Sequence, residues 1–125
     1  MQRILVIEDN RDLRALLVEW LQMSGYEVMA AEDGIAAMAM LKTAPPALVI
    51  TDLFMPNMDG IEAIREVRER CPGVNIIAVS GGSEALQNDY LKTALHVGAV
   101  KILRKPFELS ELLDAVHGAL GAGAA

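Results

Sequence analysis

A chain of 125 residues, 53% of them hydrophobic, is the length of one ordinary domain with ample material for a packed core, and two domains are not expected. Eleven Lys and Arg against seventeen Asp and Glu leave a formal charge of -6, which argues against direct binding to nucleic acid or to an anionic membrane surface. The single cysteine, Cys71, excludes an internal disulfide and fits a reduced, cytoplasmic setting; it reads as a small core-facing residue late in a helix.

Ile4 to Ile7 is a short apolar run that ends at once in Glu8 and Asp9. It is too short for a signal-peptide core, and no stretch approaches the roughly 18 apolar residues of a membrane span. Continuous rather than alternating, it reads as a strand buried on both faces. Leu13, Leu16, Leu17, Trp20 and Leu21 then recur at helical spacing, and Gly25 can end that helix in the left-handed conformation. Val28 to Ala31 is a second strand, and Ala36 to Leu41 fits a helix less cleanly. The third strand, Leu48 to Ile50, runs into Thr51 and Asp52. Asp59 and Glu62 form a capping box for a helix with Ile61, Ile64 and Val67 on one face. Ile76 to Val79, the fourth strand, ends in Ser80, Gly81 and Gly82; Leu86 to Leu95 fits a helix that Gly98 can close. Val100 to Leu103, the fifth, ends in Arg104, Lys105 and Pro106, and Leu109, Leu112, Leu113, Val116 and Leu120 line the last helix.

Repeated strand-helix alternation implies a parallel sheet with helices on both faces, and these units are too few to close a barrel. Ligands of such open sheets sit beyond the carboxyl ends of the strands. There the chain places Glu8, Asp9, Asp52, Ser80 and Lys105. If the first and third strands are neighbours, about 4.8 Å apart, their terminal carboxylates converge on one small volume. Crowded acids repel and partly protonate unless a cation sits among them, and a hard, oxygen-bound divalent ion, Mg²⁺ or in its place Mn²⁺, resolves this. Lys105 adds a mobile positive charge and Ser80 a hydroxyl. Together they are equipment for phosphoryl transfer, with Asp52, the most central, as the nucleophile that becomes an acyl phosphate. Each element alone has a plainer reading: an acidic helix cap, a surface lysine, a flexible turn. No GxGxxG or GxxxxGK[ST] accompanies Ser80, so nucleotide binding has little support. Coincidence at four strand ends is the weaker explanation.

The segments "ILVIEDN", "VITDLFMPNMDG", "IIAVSGG" and "ILRKPF" resemble the signature segments of the receiver domain of two-component response regulators, over Arg3 to about Leu120. The resemblance implies a flavodoxin-like α/β fold, an open five-stranded parallel sheet of order 2-1-3-4-5. It implies that Asp52 accepts a phosphoryl group from the phosphohistidine of a sensor histidine kinase or histidine phosphotransfer protein. Asp9 and Asp52 would ligate Mg²⁺ directly, Glu8 through water, and the backbone carbonyl of Phe54 would complete the set. Lys105 and Ser80 would hold the phosphoryl oxygens, and Pro106 would follow a cis peptide. The fourth helix, fifth strand and fifth helix are the family's usual output face, which Tyr90, His96 and Arg104 could border. His117 is expected on the outer face of the last helix, outside the metal constellation.

Two departures stand out. Ile102 replaces the aromatic residue that usually swings inward as the Ser or Thr moves, and Phe54 is apolar where many members are polar. They motivate a second reading, a pseudo-receiver that binds a partner without phosphorylation. A third, an aspartyl-phosphate hydrolase, lacks support because "TDLFM" has no acid two residues after Asp52. Residues 1–120 are read as the receiver and 121–125 as a short flexible tail or the start of a linker. A complete single-domain regulator and the receiver piece of a longer protein with a separate output domain both fit that ending.

Overall fold

Strands that are apolar on both sides must be covered on both sides, and this requirement shapes the molecule. The computed structural model describes residues 2–43, 45–53, 60–81 and 92–124, the last four as backbone only. The strands are β1 (Arg3–Ile7), β2 (Glu27–Ala31), β3 (Leu48–Asp52), β4 (Asn75–Ser80) and β5 (Lys101–Arg104). The helices are α1 (Arg11–Met23), α2 (Gly34–Leu41), α3 (Gly60–Arg70), the helical residues 92–97 (α4), and α5 (Leu109–Ala124). All strand pairs are parallel, in the order β2-β1-β3-β4-β5. This is the flavodoxin-like doubly wound sheet that the resemblance implies.

Alternate side chains of each strand go to opposite faces. Ile4, Val6, Leu48, Ile50, Ile77, Val79 and Leu103 pack under Leu17 and Leu21 of α1 and Leu112, Val116 and Leu120 of α5. Leu5, Ile7, Val49, Ile76 and Ala78 pack under α2, α3 and Ala94 of α4. Each fully buried Leu or Ile contributes about 2 kcal/mol relative to exposure.

Several expected boundaries move. β5 starts at Lys101 rather than Val100, because Val100 is 50% exposed and only its N–H joins the sheet, donating to the Ile76 carbonyl. β3 extends through Thr51 to Asp52, so the acid is the strand's last residue. α2 starts at Gly34, two residues early, because the Asp33 side chain caps it by accepting from the Ala36 N–H. Leu16 and Leu109, expected on packed faces, are 38% and 37% exposed at the rims of their helices. Cys71 is half-buried just past the end of α3, against the α3-side core, rather than inside the helix. α5 continues as helix to Ala124, into the segment read as a tail. Asp59, Gly82, Tyr90 and residues 86–91 lie outside the described residues.

Gly25 and Gly98 both have positive φ, +94° and +142°, as expected for residues that end helices. Gly98 also faces Arg68, whose guanidinium donates to the carbonyls of Val74 (2.6 Å) and Gly98 (2.7 Å) and so ties α3 to the entrances of β4 and β5. A Cβ at Gly98 would come within 2.6 Å of Arg68 Nε.

Candidate functional site

The register decides what meets at the carboxyl edge. Ile7 pairs with Thr51, Asp52 with Val79 and Ser80 with Arg104, so Glu8, Asp52, Ser80 and Lys105 emerge side by side. The Lys105 N–H donates to the Ser80 carbonyl at 2.6 Å, which fixes the lysine one residue past β5. The Lys105–Pro106 peptide is cis. On the other side of Asp52, the α3 residue Gly60 donates to the Leu53 carbonyl at 2.9 Å. A Cβ at Gly60 would overlap Leu53 Cα and stand 2.7 Å from the Asp52 carbonyl oxygen, so the backbone behind Asp52 rests directly on the start of the helix.

Carboxylate oxygens of Glu8, Asp9 and Asp52 all lie within 4.8 Å of one another. Asp52 and Glu8 are buried, at 4% and 2% exposure, whereas Asp9 is exposed at the rim. Lys105 answers them: its Nζ lies 2.8 Å from Asp52 Oδ2 and 3.2 Å from Glu8 Oε1. Burial works against the Lys105 ammonium, but hydrogen bonding and charge from Asp52, with help from Glu8, outweigh it and raise its pKa. Glu8 moves strongly, from its ordinary 4.5 to about 7. Burial is the main cause, and the Asp52 charge and the Asp9 carboxyl add to it, while the Asn10 N–H and Lys105 pull the other way.

That shift has a measurable consequence in metal-free buffer. An acid with a raised folded-state pKa stabilises the fold fully below its unfolded pKa and loses that contribution as pH rises through the folded value. Stability should therefore fall between about pH 4.5 and about 7, by at most about 3 kcal/mol. Glu8→Gln should flatten this part of the urea-denaturation profile. Parallel profiles for the two proteins would show that Glu8 ionises normally.

Three carboxylates around one lysine leave excess negative charge in a small volume and offer only hard oxygen donors. This donor set fits Mg²⁺, which takes one or two protein carboxylates and keeps water for the rest of its shell. Ser80 is buried at the end of β4. Ile102 is half-buried against the α3-side core. The Phe54 carbonyl lies outside the described residues. His96 and His117 are exposed and distant from this edge in the topology; His117 sits instead near the Tyr26 ring at 6.3 Å. Sequence reasoning missed Asn10 and Arg14. Asn10 caps α1 by accepting from the Leu13 N–H (2.9 Å), and its own N–H donates to Glu8 Oε2 (3.0 Å). Arg14 donates to the Glu8 carbonyl at 2.8 Å. The cap was readable from an Asn just before the apolar period; the arginine contact was not.

A 2-1-3-4-5 parallel sheet with an acid-lysine pocket at its carboxyl edge defines the class: a flavodoxin-like receiver fold. Residues 4–117 match the family model described as response regulator receiver domain, and the chain belongs to that family. It is 35% identical over 117 residues to the response regulator receiver protein CpdR of Brucella abortus, covering 94% of this chain and 95% of that protein. It is 33% identical over 118 residues to the response regulator MprA of a Mycobacterium species, of which it spans half the length (50%). Among solved structures, the chemotaxis protein CheY4 of Vibrio cholerae superposes with a TM-score of 0.87 at 29% identity, covering 95% of this chain and 98% of that one. Among the described residues, no helix is long and apolar enough to cross a membrane.

Proposed function

We propose that this receiver domain is a phosphorylation-dependent signalling switch whose phosphoacceptor is Asp52. The observation that carries the reading is Lys105 Nζ, 2.8 Å from Asp52 Oδ2, beside carboxylates that can hold a divalent cation. An Asp52 carboxylate oxygen attacks the phosphorus of a phosphohistidine on a sensor kinase or phosphotransfer protein. The P–N bond breaks, its electron pair returns to the imidazole, and an acyl phosphate remains. Asp9 and Asp52, with Glu8 behind them, would hold Mg²⁺, which would supply positive charge against the phosphoryl oxygens. Lys105 shifts its ion pair from the carboxylates to the new anion, and the Ser80 hydroxyl approaches the same group. The product hydrolyses slowly.

Downstream, the modification adds about 1.5 to 2 negative charges at one end of the sheet. The output surface in this reading is α4, β5 and α5, where Leu95, Val100, Lys101 and Arg104 are exposed. A groove of about 750 Å³ runs there between the β5 edge and α5. The domain works in the cytoplasm by protein contact, without touching nucleic acid or membrane. A complete acid-lysine set gives no support to the pseudo-receiver alternative. Incubation with acetyl phosphate and Mg²⁺ should add one phosphoryl mass to the intact protein, and EDTA should prevent it. Unchanged mass with Mg²⁺ present would sink the proposal.

A further inference from the structure

The β1-α1 connection is only Glu8, Asp9 and Asn10, and it carries two of the three clustered carboxylates. Several of its backbone groups are held by the sheet, the helix and the Glu8 side chain. The Glu8 N–H donates to the Ala31 carbonyl (3.0 Å), the Asn10 N–H to Glu8 Oε2 (3.0 Å), and the Asn10 carbonyl accepts from the Arg14 N–H (2.9 Å). The carbonyls of Glu8 and Asp9 both face the Arg14 guanidinium. Nη1 lies 2.8 Å from the Glu8 oxygen and 3.5 Å from the Asp9 oxygen. One nitrogen therefore spans the two peptide groups that flank Asp9.

We infer that Arg14 is a positioning residue for the cation site: it fixes the Glu8–Asp9 and Asp9–Asn10 peptides and thereby the direction in which the Asp9 carboxylate leaves the loop. The inference rests on reading Glu8, Asp9 and Asp52 as a divalent-cation site. Asp9 is exposed and takes no part in either apolar core, so side-chain packing does not aim it; its backbone does. Arg14 is suited to this work because it sits one turn into α1, a rigid platform that Asn10 caps. Guanidinium is also a donor fork that stays charged at any working pH, so the restraint holds whatever the protonation of the acids. Residues that orient metal ligands from behind typically change affinity 10- to 100-fold when removed.

The test compares the parent protein with Arg14→Ala and Arg14→Lys. In EDTA, the amide resonances of Asp9 and Asn10 should shift in Arg14→Ala while β3 and β4 amides stay in place. In calorimetric titration with Mg²⁺ alone, Arg14→Ala should bind about tenfold more weakly. With acetyl phosphate, the apparent Mg²⁺ constant should rise in parallel, while the labelling rate at saturating Mg²⁺ falls far less. Arg14→Lys keeps the charge, but its Nζ ends one bond short of the Nη1 position, so it holds the two carbonyls less well and its affinity should be intermediate. Tighter Mg²⁺ binding in Arg14→Ala than in the parent would show that Arg14 acts only as a repelling positive charge and overturn the positioning role. If the parent binds Mg²⁺ and Arg14→Ala binds it equally well, the inference alone fails. If the parent binds no Mg²⁺, the cation reading fails and takes the inference with it.

Discussion

Asp52→Asn should gain no phosphoryl mass from acetyl phosphate or a phosphohistidine donor under conditions in which the parent gains one. The amide keeps the shape of the side chain at a position only 4% exposed, so packing at the end of β3 is retained. It lacks the anionic oxygen that attacks phosphorus, and no acyl phosphate forms without it. The fold should persist, because the substitution removes one of three mutually repelling acids and leaves Lys105 its second partner, Glu8, at 3.2 Å. Labelling should drop to background while the thermal midpoint in metal-free buffer stays level or rises. A variant that still takes up one phosphoryl group would move the acceptor to another residue.

Loss of the cation site is expected from Asp9→Ala, with Mg²⁺ affinity falling at least about a hundredfold, more than the 10- to 100-fold typical of groups that merely support ligands. Asp9 is the one member of the acidic cluster at the rim, outside both apolar cores, so its removal tests metal binding without disturbing packing. Phosphorylation should fail with it, since Asp52 and the phosphoryl oxygens would then meet with only Lys105 to offset their charge. Isothermal titration with Mg²⁺ reads the effect directly. Undiminished binding in Asp9→Ala would place the cation elsewhere.

Most of the fold was legible because the parallel sheet leaves a simple trace: strands covered on both faces read as unbroken apolar runs, and β1 and β4 are almost wholly buried. Legibility weakened where that condition lapsed. β5 is an edge strand, and its neighbour Val100, though apolar, is turned to solvent, which displaced the boundary by one residue. α2, GIAAMAML, is apolar all round, so no period marked where it began. The location of the site followed from topology, since acids at the ends of β1 and β3 must converge once those strands pair. What could not be read was how each group is held. That Glu8 is 2% exposed and paired with Lys105, or that Arg14 reaches back over the loop, depends on side-chain paths that residue spacing does not encode.

Lys105 joins Asp52 across 53 positions of sequence, and Glu8 lies at the opposite end of the chain from it. A polypeptide emerging from synthesis can complete β1 to β4 with its acids already gathered, but it lacks the Lys105 ion pairs to Asp52 and Glu8 until β5 docks at the far edge of the sheet. Such long-range closure is slow relative to local helix formation. The pocket's chemistry is thus a property of the finished molecule only: a chain caught half-made presents a destabilising knot of carboxylates, and the arrival of the last strand both relieves that knot and arms the domain.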